Sequence, residues 1–374
     1  MFIMNFSYWE QKSWLSDVDF VIVGSGITGL NCALQLHKDY PGASILILEK
    51  GLLPEGASTK NAGFACFGSL SEILEDLKTL AEEEVVSLIQ KRVNGLKLLR
   101  KNLGDDEIGF KNHGGYEVFL EKDKSLFEEC VAEIANINRL LHEVFESNCF
   151  SLSDNKFGFK NTAEKLIFSP FESQIDTGKM MSELLRKVYK KGIRILNNIA
   201  VRNFEDLGNK VVVKTDAFEV ECRKFFIATN GFASKFGITD VKPARAQVLV
   251  TKPIANLQIK GTFHLDKGFY YFRNINNRLL FGGGRNLNIK EEETIQFGQT
   301  QIVQQQLEAL LKTTILPNQE FEIDQRWSGI MGMGADKKPE IGQLSNNVFY
   351  GVKLGGMGIA IGSLVGKELA KSSE

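Results

Sequence analysis

The stretch VDFVIVGSGITGLNCALQLHKDYPGASILILE, residues 18–49, constrains this chain more than any other. Phe20 to Val23 is an apolar run rich in β-branched residues and too short for a helix, so it reads as a buried parallel strand. Gly24, Gly26 and Gly29 follow at once. In that spacing the first glycine permits a tight turn and the second lets the backbone approach a pyrophosphate. The third lets the following helix pack close to the strand. Ile27 and Thr28 open that helix, whose amides and dipole then face the phosphates. A second apolar run, Ile45 to Leu48, ends in Glu49, about twenty residues past the last glycine, where a carboxylate accepts hydrogen bonds from a ribose hydroxyl. Strand, turn, helix, strand and acid together point to the ADP half of a dinucleotide, with Lys50 at its edge.

At 374 residues the chain exceeds what one core serves, about 250–300 residues, so two domains are expected. A net charge of −1 offers no field for nucleic acid or an acidic membrane. The five cysteines (Cys32, Cys66, Cys130, Cys149, Cys222) form no CxxC pair and read as small buried residues in a reducing compartment. The four histidines (His37, His113, His142, His264) form no HxxxH, so no metal site is expected. The first residues, MFIMNFSYWEQKSWLSD, lack the basic start, apolar core and cleavage site of a leader. No apolar run approaches about 18 residues, so the expectation is a cytoplasmic protein with no membrane span.

After Glu49, KGLLPEGASTKNAGFACFG is too rich in glycine for a regular helix and reads as a backbone-rich loop beside a ligand. Residues 71–101 and 126–144 carry apolar positions at helical spacing; Tyr116 to Leu120 reads as a strand. Residues 151–170 alternate polar and aromatic side chains and read as a crossing between domains. Asp176 to Lys191 is a helix closed by Gly192. Strands are expected near 193–196 and 211–215, and an apolar strand ends in Ala228-Thr229-Asn230-Gly231. From Pro243 the pattern is β: 246–251, 269–273 and 278–282, the last two joined by Asn274 to Asn277. A glutamine-rich surface helix is expected over 291–311. The C-terminus returns to glycine, with Gly355-Gly356-Met357-Gly358 opening a helix.

Taken together, the motifs VIVGSGITGL, GASTKNAGF, ATNGF, PARAQVLVT, YYFRNINNRLLFGGGR, RWSGIMGMGADKKPEIG and GVKLGGMGIAIGSLVGKELA resemble, in order, the D-amino-acid oxidase and glycine oxidase superfamily of FAD-dependent oxidoreductases. The resemblance covers nearly the whole chain. It implies an α/β fold: a Rossmann-type FAD domain from 1–109, 171–242 and 325–374, and an α+β substrate domain, on a mostly antiparallel sheet, from 110–170 and 243–324. It places Gly24, Gly26 and Gly29 at the pyrophosphate and Glu49 at the ribose. Ser58, Asn61, Ala62 and Gly63 match the segment running toward the flavin ring. Val201 matches a residue near adenine, Thr229-Asn230-Gly231 a turn on the FAD, and Gly355, Gly356, Met357, Gly358 and Ile359 the loop and helix start facing the flavin pyrimidine. There amide donors stabilise the negative charge of reduced flavin.

The implied reaction removes a hydride from the carbon of a C–N bond to flavin N5, leaving an imine that water hydrolyses, so no dedicated acid or base is needed. Two departures from the family pattern stand out. Oxidases of free amino acids in the family place an arginine just after the segment matching Trp327-Ser328-Gly329, to hold the substrate carboxylate. Here Ile330-Met331-Gly332 stands there, so Arg285, Arg326 or Arg245 takes that role, or the substrate is an amine without a nearby carboxylate. Glycine and simple D-amino acids are therefore expected to be poor substrates, Met331 lining an apolar wall instead. Sarcosine-oxidising relatives keep a lysine before a glycine matching Gly282; this chain has Leu280 and Phe281, which leaves open a dehydrogenase using an acceptor other than oxygen. No cysteine follows Cys222, so the FAD is expected to be noncovalent. His264, Tyr270 and Tyr271 are further pocket candidates, with strand alternation allowing at most one tyrosine to face the flavin. The partner is then a small amine or amino acid; oligomeric state is not legible. The competing expectation is a catalytically silent FAD-fold protein that assists assembly of another complex. An NAD-dependent dehydrogenase would not return to the nucleotide at its C-terminus.

Overall fold

The computed structural model describes residues 5–373; the first four residues of the N-terminal stretch read above, and the last of the chain, lie outside the described residues. Two eight-stranded sheets organise the fold. In the first, five parallel strands lie in the order Val348–Val352, Glu219–Ile227, Val18–Val23, Ile45–Leu48, Arg194–Leu196. Strand alternation divides their side chains between two cores. Phe20, Ile22, Ile45 and Ile47 face the helices Ile27–Asp39, Thr177–Lys190 and Gly358–Lys371. Val21, Val23, Leu46 and Leu48 face an antiparallel ribbon formed by Val201–Asp206 and Val211–Thr215. The strand Val201–Asp206 gave no sequence signal because its burial is only partial.

The second sheet runs Ile323–Met333, Lys242–Thr251, Arg278–Gly283, Tyr270–Ile275, Thr262–Leu265, Gly115–Glu117, Lys165–Ser169, Ser151–Asp154, antiparallel except where Thr262–Leu265 meets Gly115–Glu117. Asn276 and Asn277, both at positive φ, make the two-residue turn of the central hairpin.

Three expectations are corrected here. Residues 151–169 do not themselves cross between sheets: Ser151–Asp154 and Lys165–Ser169 pair with each other at the edge of the second sheet, with Leu166 and Ile167 buried on opposite faces in two cores, and the chain leaves that sheet only after Ser169. Residues 325–333, grouped above with the FAD segments, pair along Lys242–Thr251 in the second sheet, and the chain rejoins the first sheet only at Glu340–Ser345. The helix expected over 291–311 is regular only over Gln301–Leu310. Gly298 at φ +136 interrupts it, and Glu292 turns inward to accept from Arg245 and Gln247. Among the described residues no helix is long and apolar enough to cross a membrane.

Candidate active site

Parallel strands gather their loops at their carboxyl ends, and there the structure opens a cavity of about 850 Å³. One end is walled by the turn after Val18–Val23. Gly24 adopts φ +101, and a Cβ on it would lie 2.7 Å from the Ala228 carbonyl, so neither its backbone nor its surroundings admit a side chain. Gly24, Gly26, Ile27 and Thr28 line the cavity; Gly29 does not, because it is pressed against the Gly24 carbonyl and serves the strand–helix contact. Ser58 reaches over from its loop and its hydroxyl accepts from the Ile27 amide at 3.0 Å, capping that helix. Glu49 is buried at the cavity edge: Oε2 accepts from the Ser25 amide (3.0 Å) and hydroxyl (2.8 Å), and Oε1 from the Gly51 amide (3.0 Å). Lys50 lines the wall with its ammonium 3.8 Å from the Phe232 ring centre. Val201, Thr229 and Asn230 complete this end, whereas Gly231 faces the Met331 carbonyl instead.

Midway, Asn61 and Ala62 line the cavity, and Gly63 does not: it faces the buried Arg273 and the Ile175 carbonyl. Phe64 and Cys66 are on the wall as well. Ala62, Phe64 and Cys66 recur every second residue through the short strand Phe64–Ala65, so alternation from Ala62 would have found them and excluded Gly63. Next to Cys66, whose sulfur is 3.9 Å from that of Met357, lie Gly355, Gly356 and Met357 of a loop and Gly358 and Ile359 of the first turn of the helix Gly358–Lys371. Two helix N-termini thus face one cavity.

The far end is built from the second sheet. Tyr271 lines the cavity and Tyr270 packs into the aromatic core behind it, as alternation requires. Burial pushes the Tyr271 phenol up to about 12, so it stays a donor. Arg285 lines the same wall, 5.0 Å from the Phe269 ring centre, and among the described residues no carboxylate comes within 4 Å of it. The other two arginines are engaged elsewhere. Arg245 is buried against Glu292 (2.7 and 3.1 Å), and Arg326 donates to Gln304 and Glu308 (both 2.6 Å); neither lines the cavity. Ile330 and Met331 are on the wall.

His264, also on the wall, is buried and bonded through Nε2 to Glu172 at 2.9 Å; Glu72 lies 3.9 Å from its Nδ1. Burial opposes its charge, but Glu172, Glu72 and Glu117 prevail and push it up to about 9, so it stands as an imidazolium. Burial raises the neighbouring Glu117 to about 7 against three hydrogen bonds from Ser69 and Ser71. Cys66, Glu172 and His264 come within 4.8 Å of one another, a grouping that sequence spacing could not reveal. At the mouth, Lys267 pairs with Glu75 (2.9 Å) and Lys337 with Asp76 (2.7 Å); these too were missed, being scattered surface charges in sequence.

The cavity suits a dinucleotide with a flavin. The Thr28 and Thr229 hydroxyls are buried beside it and lack any protein partner, which a bound polar group would supply. Gly24 and Gly26 leave backbone exposed at one helix N-terminus for a pyrophosphate, and Gly358 and Ile359 present a second N-terminus to a flavin edge.

A family model described as FAD dependent oxidoreductase, DAO, matches residues 19–372. The probable oxidoreductase OrdL of Haemophilus influenzae is 21% identical over 378 residues, covering 96% of this chain and 83% of that protein. Among solved structures, the glycine oxidase of Geobacillus kaustophilus is 18% identical with a TM-score of 0.74 and 95% of each chain covered. The L-proline dehydrogenase of P. horikoshii is 17% identical with a TM-score of 0.74, covering 95% of this chain and 92% of its own. The iminodiacetate oxidase of Chelativorans sp. BNC1 is 17% identical, also at 0.74, with 94% of each chain covered.

Proposed function

The chain belongs to the DAO family of FAD-dependent oxidoreductases, and from that premise we propose that it oxidises the C–N bond of an amino acid or N-substituted amino acid whose carboxylate is met by Arg285. The observation that carries this reading is the guanidinium on the cavity wall without a protein carboxylate, while Arg245 and Arg326 are both engaged. A guanidinium matches a carboxylate bidentately, and Tyr271 on the neighbouring strand adds a hydroxyl donor. Bound FAD would accept the hydride. The substrate nitrogen's lone pair forms the C=N bond as the hydride leaves, an N–H proton is lost, and water then hydrolyses the imine.

The residues' part is to bind and orient. Glu49, Ser58 and the turn at Gly24 hold the nucleotide half; Asn61, Ala62 and the 355–359 helix start flank the flavin. Met331 and Ile330 give a deformable apolar wall beside the reacting nitrogen, which favours a substituted amine over glycine. Attachment of FAD is read as noncovalent: Cys66 is the cavity-wall cysteine, and burial pushes its thiol well above its ordinary value, away from the reactive thiolate. Colour remaining in the pellet after acid precipitation would contradict this.

The substrate reading is tested by anaerobic bleaching of the flavin with a panel of amino acids, N-substituted amino acids and plain amines. Bleaching by carboxylated substrates, lost in Arg285→Ala, is the expected result. Bleaching by plain amines, unchanged in that variant, would assign the pocket to polyamine-type substrates. A flavin that no compound bleaches would favour an assembly role. The rate at which oxygen restores the colour separates an oxidase from a dehydrogenase. Leu280 and Phe281, buried where sarcosine-oxidising relatives keep a lysine, favour slow reoxidation.

A further inference from the structure

We infer that Arg273 is a positioning residue for the cofactor, a guanidinium sent from the second sheet to fix the shape of the 58–63 loop along the cavity. The inference rests on the family's FAD and is independent of what Arg285 binds. Arg273 lies in the strand Tyr270–Ile275 and is only 2% exposed. Its donors go to carbonyls: Nε to Ala62, Nη2 to Ile175 at 2.9 Å, and Nη1 to its neighbour Asn274 at 3.2 Å. Among the described residues no carboxylate lies within 4 Å of it.

A cation buried without a counter-charge is costly, and a methionine or leucine would fill the same space without that desolvation. What a guanidinium adds is a planar fork of donors that fixes several carbonyls at once. Here those carbonyls close a ring. Arg273 donates to Ala62 and Ile175, and the Ile175 amide donates back to the Gly63 carbonyl at 2.9 Å. Gly63 has φ +76, and any side chain on it would collide with the guanidinium. The same loop is tied from the other side by Asn61, whose Oδ1 accepts from the Gly63 amide (2.9 Å) and the Thr177 hydroxyl (2.8 Å). Burial lowers the Arg273 pKa only to about 10, so the fork remains fully protonated at neutral pH.

Two residues earlier on the same strand, on the same face, Tyr271 lines the cavity. One strand thus presents a side chain to the substrate end and the next one of that face to the cofactor loop, setting the distance between the two.

The test is the rate at which the holoenzymes of Arg273→Lys and Arg273→Gln release FAD, followed by recovery of flavin fluorescence, together with the visible spectrum of the bound flavin. Release is expected to accelerate at least about tenfold in Arg273→Gln, the size of one lost charge-assisted hydrogen bond, and less in Arg273→Lys. The bound flavin spectrum shifts in both. Release within about twofold of the parent with an unchanged spectrum would overturn the inference, even if melting temperature fell. Should neither variant fold, hydrogen exchange on the native protein decides. Removing FAD must then loosen residues 270–275 together with 58–63, and loosening confined to 58–63 would overturn it.

Discussion

The two ends of the cavity are built by different means. At the nucleotide end the working groups are backbone amides, glycines and one carboxylate, drawn largely from residues 24–58 and bonded to each other within that one βαβ unit, as Glu49 is to Ser25 and Gly51. At the substrate end they are side chains: Glu72, His264, Tyr271, Arg285 and Met331, delivered by separate segments of chain. A backbone site is encoded by local conformation, which few residue types satisfy. A side-chain site is encoded by the register between strands, which many sequences satisfy.

The largest effect that could break this contrast is expected at the nucleotide end. Glu49→Lys strips the acceptor from the Ser25 amide and hydroxyl and from the Gly51 amide. Each buried donor left unsatisfied costs about 1–3 kcal/mol, and on the proposed reading the nucleotide loses a ribose acceptor as well, so the protein is expected to lose its yellow colour on dialysis. Full flavin occupancy after dialysis would show that this end does not depend on its carboxylate.

Next in size is the substrate end. Arg285→Ala is expected to lower kcat/KM for carboxylated substrates by about 10- to 200-fold, the worth of a charge-assisted pair of about 1.5–3 kcal/mol, with flavin content unchanged. A loss of FAD in this variant would mean that the two ends are not separable.

A smaller effect follows from His264. Its folded pKa of about 9 stands above its ordinary 6.5, so the stabilisation from its pairing with Glu172 is complete below about 6.5 and is lost as pH rises through about 9. The melting temperature of the parent is therefore expected to fall over that window more steeply than that of His264→Gln. Parallel curves would show that the imidazole is not charged by its acidic neighbours.

The smallest effect sharpens the assignment of the anion site. Arg326 and Glu308 form a partly exposed pair away from the cavity, so Arg326→Ala should cost at most about 1 kcal/mol of stability and leave turnover unchanged. A tenfold loss of turnover would move carboxylate recognition out of the cavity described here.

The dinucleotide turn, its strands and helices, and the alternation that allows only one of Tyr270 and Tyr271 on the wall were legible in the sequence, because each is a local consequence of φ/ψ limits or of the two-residue period of a strand, whereas the choice of Tyr271 came from the fold. The same period, carried from Ala62, holds the information on Phe64 and Cys66, whereas the resemblance alone had included Gly63. Which of three arginines stays free was not legible. Arg245, Arg285 and Arg326 are alike as residues, and only the pairing of Lys242–Thr251 with Ile323–Met333, and the packing of Glu292 and Gln301–Leu310 beside them, engages two and leaves the third facing the cavity. Nor could spacing bring His264 to Glu72, Glu117 and Glu172, since charge interactions depend on separation in space, and it is the fold that closes those loops. The sequence by itself determined the glycine turn with its strand and helix, because backbone geometry is local. The tertiary structure decided which arginine faces the cavity without a protein carboxylate, because a charge is free only when every competing partner has been placed elsewhere.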